Sequence, residues 1–220
     1  MKKLFIVANW KSNKTTAEAK TWLERFMKYD LRFTNKEVII CPPFTLLPFL
    51  KSYLLNHKSG LKLGTQDVSP FPKGAYTGAI AAEQLAEYAS YVIVGHSERR
   101  KYFQENDQML ANKADMAIEN NLTPIYCVQD EQSVIPEGVK VVAYEPVFAI
   151  GTRNPDTPEN ADGVGKTLKK QYSSVKYLLY GGSVTEENVY SFTSMPNIDG
   201  VLVGGASLDP IAFSRIITNA

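Results

Sequence analysis

The sequence predicts a protein of the α/β class, folded as a parallel (β/α)8 barrel. Eight short runs of apolar and β-branched residues recur along the chain, and helical patterns lie between most of them. The runs are continuously hydrophobic, which is typical of parallel strands covered on both faces. Strands alternating with helices favour a barrel or a doubly wound sheet, and eight strands favour the barrel.

The predicted strands are 4–8, 37–41, 61–64, 91–94, 124–128, 139–144, 176–180 and 200–203. Helix starts are marked by caps: Thr15 and Glu18 have the spacing of a capping box. Thr157 and Asp209 each stand one residue before a proline, which suits a cap followed by the first helical position. Apolar residues at helical spacing follow the second and fourth strands, at Leu46, Leu47, Leu50, Leu54 and at Met109, Leu110, Ala114, Ala117, Ile118.

The connection between the fifth and sixth strands is shorter than the others. It consists of residues 129–138 and contains Pro136 and Gly138. A crossover usually needs a dozen or more residues. Ten extended residues nevertheless span roughly 33 Å, which exceeds a typical strand of about 17–20 Å. We therefore expect a loop or stub in place of this helix, with the barrel wall thinly covered there.

Composition and patterning favour one domain over residues 1–220. Lys and Arg (24) nearly balance Asp and Glu (23), so no overall charge favours nucleic acid or an anionic membrane. No apolar stretch has the length of a membrane span, and the N-terminus lacks a signal peptide pattern. Cys41 and Cys127 lie in apolar runs, where reduced, buried thiols are expected. We expect a cytoplasmic protein.

Polar and glycine-rich segments follow five of the predicted strands. In a parallel barrel the active site lies at the carboxyl ends of the strands. The residues there include Asn9, Lys11, His96, Glu145, Gly181, Gly182, Ser183, Gly204 and Gly205. An ammonium, an imidazole, a carboxylate and two glycine-rich turns suit proton abstraction next to a carbonyl in a phosphorylated substrate.

Each group has a role in that chemistry. Glu145, partly desolvated, is the expected base. His96 and Lys11 supply a hydrogen-bond donor and a positive charge to the developing enediolate. The groups expected to hold a phosphate dianion are the backbone N–H groups of Gly151, Ser183, Gly204 and Gly205 and the hydroxyl of Ser183.

Taken singly, these residues also have structural explanations. A lysine after a strand is most often a solvated charge, a lone histidine is more often hydrogen-bonded within the fold, and Glu145 would be satisfied by an arginine. Tight turns need glycine in any case. Joint placement past strand ends favours the functional interpretation. For His57, in a polar loop, and Trp22, on a helix face, the structural interpretation stands.

Five segments resemble triosephosphate isomerase, in the same order from Ala8 to Phe213. They are 9–11 (NWK), 94–100 (VGHSERR), 143–147 (AYEPV), 180–184 (YGGSV) and 200–208 (GVLVGGASL). The family has the TIM barrel fold and interconverts dihydroxyacetone phosphate and D-glyceraldehyde 3-phosphate in glycolysis and gluconeogenesis, with no cofactor or metal. It is a known case of a glutamate base, a neutral histidine electrophile and a closing loop.

The resemblance implies a role for each matching residue. Glu145 resembles the base, His96 the electrophile and Glu98 the supporting acid, while Asn9 and Lys11 resemble the substrate-binding pair. The residues that resemble the phosphate-binding backbone are Gly151, Ser183, Gly204 and Gly205.

The resemblance also implies a homodimer. Gln66 and Thr77 match the protruding loop that enters the neighbouring subunit in the family, so the loop from Gln66 to Gly78 is the expected interface. Short members of the family exist, some as tetramers, and a tetramer is the second assembly to consider.

The chain departs from the family in its lid. Phe148 replaces the usual tryptophan, and Arg153 and Asn154 stand where Gly-Lys is common. An arginine restricts the hinge if that position needs a positive φ. Two other functions stay open: a non-catalytic phosphate-binding relative, and a barrel acting on another sugar phosphate. Retention of Lys11, His96 and Glu145 counts against the first.

Overall fold

The structure is a computed structural model that describes residues 2–29, 35–149 and 154–220. Over these residues eight parallel strands close into a barrel and pair in chain order, β1 with β8 completing the ring. The strands are β1 Leu4–Asn9, β2 Lys36–Cys41, β3 Lys62–Thr65, β4 Tyr91–Val94, β5 Thr123–Val128, β6 Val141–Tyr144, β7 Tyr177–Tyr180 and β8 Gly200–Val203. The predicted fold class is confirmed, and strand limits differ by at most two residues.

The helices of the described residues pack around the barrel. They are α1 Thr16–Phe26, α2 Leu47–Asn56, α3 Ala82–Ala86, α4 Ser97–Tyr102, α5 Asp107–Glu119, α6 Pro158–Gln171, α7 Val189–Thr193 and α8 Pro210–Asn219. The predicted caps are confirmed: Thr15 and Glu18 form a capping box, and Thr157 and Asp209 cap α6 and α8.

Alternate residues of the strands fill two apolar layers. On β1, Phe5 and Val7 point into the barrel, while Ile6 and Ala8 face the helices. The inner layer closes tightly at Gly200, whose φ is +152°. A Cβ there would lie 2.0 Å from the carbonyl oxygen of Phe5, so the closure of the barrel between β1 and β8 requires glycine.

The β5–β6 connection contains no helix in residues 129–140, which are all described, so the expected loop is confirmed. Ile135 and Val139 turn inward and are buried, whereas Val134 stays 66% exposed. The helix predicted after the fourth strand is confirmed as α5, Asp107–Glu119, but the last residue of its apolar pattern is not buried. Ile118 is exposed, because this edge of the helix borders the thin part of the wall.

Among the helices that the structure describes, none is both long enough and apolar enough to cross a bilayer.

Candidate active site

A cavity of about 520 Å³ opens at the carboxyl ends of the strands. Its wall brings together residues from β1, β4, β6, β7 and β8. Predicted site residues on that wall are Asn9, Lys11, His96, Glu145, Ser183, Gly204 and Gly205. Of the other predicted residues, Glu98 reaches the site by bonding Lys11. Gly151 lies outside the described residues, as do Thr152 and Arg153 of the lid.

Glu145 follows β6 and is only 1% exposed. Its backbone N–H donates to the carbonyl of Val128, which extends the β5–β6 ladder by one residue. Its carboxylate accepts a hydrogen bond of 2.9 Å from the backbone N–H of Ser97. Burial raises the pKa of Glu145, and this effect outweighs the opposing influence of His96 and the Ser97 N–H. A buried carboxylate with a raised pKa suits a general base near neutral pH.

His96 stands between β4 and α4. Gly95 before it has a φ of +75°, a left-handed conformation that favours glycine. The histidine is then the N-cap of α4, and its Nδ1 accepts a hydrogen bond of 3.2 Å from the backbone N–H of Glu98. Because Nδ1 accepts, the neutral ring carries its proton on Nε2. That nitrogen lies 3.2 Å from Oε1 of Glu145 and points a donor into the site.

Lys11 is held in an uncommon backbone conformation. Its φ is +51°, and its N–H donates to Oδ1 of Asn9 over 3.0 Å. Its ammonium lies 2.5 Å from Oε1 of Glu98. The amide of Gln66 donates to the carbonyls of Lys11 and Cys41, each over 2.9 Å. These contacts fix a positive charge at the cavity wall.

The turns at Gly181 and Gly204 allow the side chains of Glu145 and Lys11 to pack close to the backbone. A Cβ at Gly181 would lie 2.8 Å from Cγ of Glu145, and one at Gly204 would lie 3.4 Å from Cε of Lys11. Gly205 begins a 3₁₀ turn, Gly205–Leu208, with its Cβ direction open. Small residues therefore let the base and the ammonium lie close to the backbone of the turns. The Gly181 N–H donates to the Tyr144 carbonyl over 2.7 Å, so the turn at Gly204 and Gly205, beside the ammonium, is the one that suits an anion.

Ser183 connects this wall to the segment after Glu145. Its hydroxyl donates 2.8 Å to the carbonyl of Ala149, the last residue of the 3₁₀ turn Val147–Ala149. Asn188, which the sequence analysis missed, also lines the cavity. Its side chain donates to the Ser183 carbonyl and accepts from the Thr185 N–H. No sequence motif marked it, since an asparagine after a loop has many structural uses.

A buried ion cluster, made of Asp67, Arg99, Glu105 and Lys113, joins α4 to α5 and to the loop after β3. The Lys113 ammonium lies 2.5 Å from carboxylates of both Asp67 and Glu105. Arg99 pairs with the same two acids at 2.8 and 2.6 Å. The cluster fixes the helix that carries Glu98. The cluster was not predicted from the sequence, although Lys113 on the apolar face of α5 was a signal.

Within residues 2–29, 35–149 and 154–220, no group of three or more His, Cys, Asp or Glu side chains is arranged to hold a metal ion.

Comparison with known proteins agrees with this geometry. The family model for triosephosphate isomerase matches residues 4–220. The triosephosphate isomerase of Dictyoglomus turgidum is 38% identical over 249 positions that cover 99% of both chains. That of Thermus thermophilus is 37% identical, covering 99% of this chain and 98% of its own. That of Aquifex aeolicus is 37% identical, covering 96% and 97%. The chain belongs to the triosephosphate isomerase family.

Proposed function

We propose that this chain interconverts dihydroxyacetone phosphate and D-glyceraldehyde 3-phosphate, an aldose–ketose isomerisation. Family membership supports the reaction. One observation supports the reaction most directly. Glu145, the Nε2–H of His96 and the Lys11 ammonium line the same cavity as the two glycine turns. This set provides a base, an electrophile and a cation beside an anion site.

The proposed reaction moves one proton between adjacent carbons. Glu145 removes a proton from the carbon next to the carbonyl, and the electrons of that C–H bond form the enediolate. His96 donates a hydrogen bond to the oxygens on which charge develops, and the Lys11 ammonium stabilises that charge. Glu145 then returns the proton to the neighbouring carbon, and the proton of the substrate hydroxyl passes from the first oxygen to the second, so that the carbonyl forms at the carbon that lost its proton. The substrate is oxidised at one carbon and reduced at the next, with no net redox change.

The proposed phosphate site is the wall formed by the glycine turns. Lys11 Cε lies near Gly204, so its ammonium is beside the proposed phosphate site. Asn9 holds the backbone of Lys11, and Glu98 holds its ammonium. The proposed phosphate-binding residues are Gly151, Ser183, Gly204 and Gly205.

We also propose a homodimer formed by the loop from Gln66 to Gly78. The support is its exposed aromatic pair: Phe71 and Tyr76 stack at 4.5 Å and remain 43% and 42% exposed. A partner that covers these rings would remove apolar surface from water. The thin wall around Val134 is the proposed contact for a tetramer. Light scattering distinguishes the assemblies; a monomer with full activity would contradict the dimer.

We further propose that residues 1–220 act as one domain and that the protein is cytoplasmic. Both cysteines are free and buried, which suits a reducing compartment. Limited proteolysis and cell fractionation test these two points.

The test of the activity is a coupled assay with purified protein and each triose phosphate in turn. We expect isomerisation in both directions and competitive inhibition by inorganic phosphate. Absence of turnover with retained phosphate binding would instead support the alternative, a non-catalytic phosphate-binding relative. Turnover of a different sugar phosphate alone would also contradict the proposal.

A further inference from the structure

Asp156 connects three elements at the rim of the barrel. Its carboxylate accepts hydrogen bonds from the Tyr144 hydroxyl (3.0 Å), the Asn160 amide (2.6 Å) and the Thr157 N–H (2.8 Å). Its own backbone N–H donates 2.8 Å to the Tyr180 hydroxyl. Asp156 therefore ties the ends of β6 and β7 to the start of α6.

Both tyrosines stand next to proposed site residues. Tyr144 immediately precedes Glu145, and Tyr180 immediately precedes Gly181 and Gly182. The two rings are 6.4 Å apart between centroids. One peptide bond therefore joins each tyrosine to the base or to the glycine turn, and the backbone N–H of Gly181 donates to the carbonyl of Tyr144 over 2.7 Å.

The Tyr180 hydroxyl has little freedom to move. Its ring stacks on Phe192 at 3.9 Å, and a Cβ at Gly182 would lie 2.1 Å from the hydroxyl oxygen. Burial raises the pKa of Tyr180 to about 12, so the hydroxyl stays protonated at neutral pH. With the Asp156 N–H as its donor, this hydroxyl is fixed against the turn that lines the cavity.

The Tyr144 hydroxyl meets a different kind of partner. It donates to a carboxylate that also accepts hydrogen bonds from the N-cap of α6, Thr157, and from its first turn, at Asn160. Hydrogen bonds to an ionised acceptor are roughly twice as strong as neutral ones. Negative charge at the N-terminus of α6 is favoured as well. The carboxylate is thus a stable anchor for the side chain that stands before the base.

We propose that Asp156 is a positioning residue for the reaction. Its carboxylate and N–H hold Tyr144 and Tyr180 at a fixed separation, and thereby hold Glu145 at a fixed distance from the glycine turn that receives the phosphate. A base and a phosphate site serve one small substrate only if their separation is constant. A misplacement of about 1 Å costs on the order of 100-fold in rate.

The test compares Asp156→Ala, Asp156→Asn and Tyr144→Phe, and its kinetic readout rests on the proposed isomerase activity. We expect Asp156→Ala to lower kcat/KM by about 10- to 100-fold. Asp156→Asn keeps an acceptor oxygen for Tyr144 and restores most of the activity. Tyr144→Phe lowers kcat, since it acts on the base, and the double variant Asp156→Ala/Tyr144→Phe is no worse than the more impaired single variant.

Glu159→Ala is the matched control, because it removes another carboxylate from the first turn of α6. We expect near-normal kcat/KM for this variant. Additive losses in the double variant, or equal losses in Glu159→Ala and Asp156→Ala, would overturn the proposal. So would a failure of Asp156→Asn to restore activity when its thermal midpoint is normal.

Binding of inorganic phosphate, measured by calorimetry, separates this proposal from the proposed function. If the wild type does not isomerise triose phosphates, the proposed function fails, but the positioning role is still tested. We expect Asp156→Ala to bind phosphate several-fold more weakly than the wild type and Glu159→Ala. Equal affinity in all three proteins would overturn the positioning role.

Discussion

Nε2 of His96 lies 3.2 Å from Oε1 of Glu145, and both side chains are almost fully buried. In the free enzyme the Nε2–H of His96 therefore donates to Glu145, the residue proposed as the base. A substrate carbonyl that takes over the Nε2–H releases one carboxylate oxygen, which becomes available to the neighbouring C–H. In this account, substrate binding and preparation of the base are the same exchange of hydrogen bonds.

Replacing His96 with asparagine tests the donor. We expect kcat to fall by roughly 10²- to 10³-fold, the usual effect of removing one donor to a developing oxyanion. His57, the other histidine of the chain, is exposed and stacks on Tyr53 at 4.0 Å. His57→Asn is the control and should retain normal kcat. A His96→Asn enzyme within a few-fold of wild type would remove His96 from the reaction.

The pH profile tests the environment of Glu145. Burial raises the pKa of Glu145. As the pH falls, its carboxylate is therefore protonated at a higher pH than an ordinary glutamate, and the enzyme loses its base there. The acid limb of kcat/KM should therefore lie above pH 4.5, the ordinary value. The neighbouring Cys127 thiol lowers this pKa, so Cys127→Ala should move the limb to still higher pH. Cys41→Ala, the other buried thiol, is the control. An acid limb below 4.5, or equal shifts in both variants, would be the adverse result.

Lys113→Met tests the buried ion cluster. The substitution leaves Asp67 and Glu105 with Arg99 as the remaining cation of the cluster, and breaking a buried pair costs about 3–5 kcal/mol. Urea unfolding at fixed protein concentration measures the loss of free energy of unfolding. Lys20→Met is the control, because Lys20 and Glu24 are exposed and such pairs contribute little. Equal effects of the two substitutions would show that the cluster is not a source of stability.

Gly182→Ala tests the packing of the glycine turn. Its Cβ would overlap the Tyr180 hydroxyl, which is held by Phe192 and by the Asp156 N–H, so we expect lower stability and lower kcat/KM. Gly163→Ala, inside α6 where a Cβ has open space, should instead stabilise the protein by about 0.5–1 kcal/mol. A neutral Gly182→Ala variant would show that the turn adapts, contrary to the rigid arrangement described here.

The strand and helix pattern predicted most of the fold because parallel strands buried on both faces are continuously apolar. Two strands, β4 and β8, have the predicted limits. The short helices α3, α4 and α7 were not predicted, since one or two turns give too little periodicity. Ile118 lies in the predicted helix but stays exposed, because burial at that position would need a neighbouring helix, and here the wall beside it is a loop.

The residues brought to the cavity were predictable because strand ends of a barrel converge. Contacts between residues far apart in the sequence were not predictable in this way. Asp156, Gln66 and Lys113 each have a partner far along the chain, 12, 55 and 46 positions away, and their sequence neighbourhoods resemble ordinary loops or helices. The effect of Arg153 on the hinge stays a sequence prediction, because 150–153 lies outside the described residues.

The most direct test of the central claim, that Glu145 is the base, is the kcat of Glu145→Gln in the coupled isomerase assay. Glutamine keeps the size of the side chain but cannot accept a proton at working pH. We predict a fall in kcat of about 10²- to 10⁴-fold, the usual contribution of general base catalysis, with an unchanged circular dichroism spectrum. A folded Glu145→Gln protein that turns over within a few-fold of the wild type would contradict the claim.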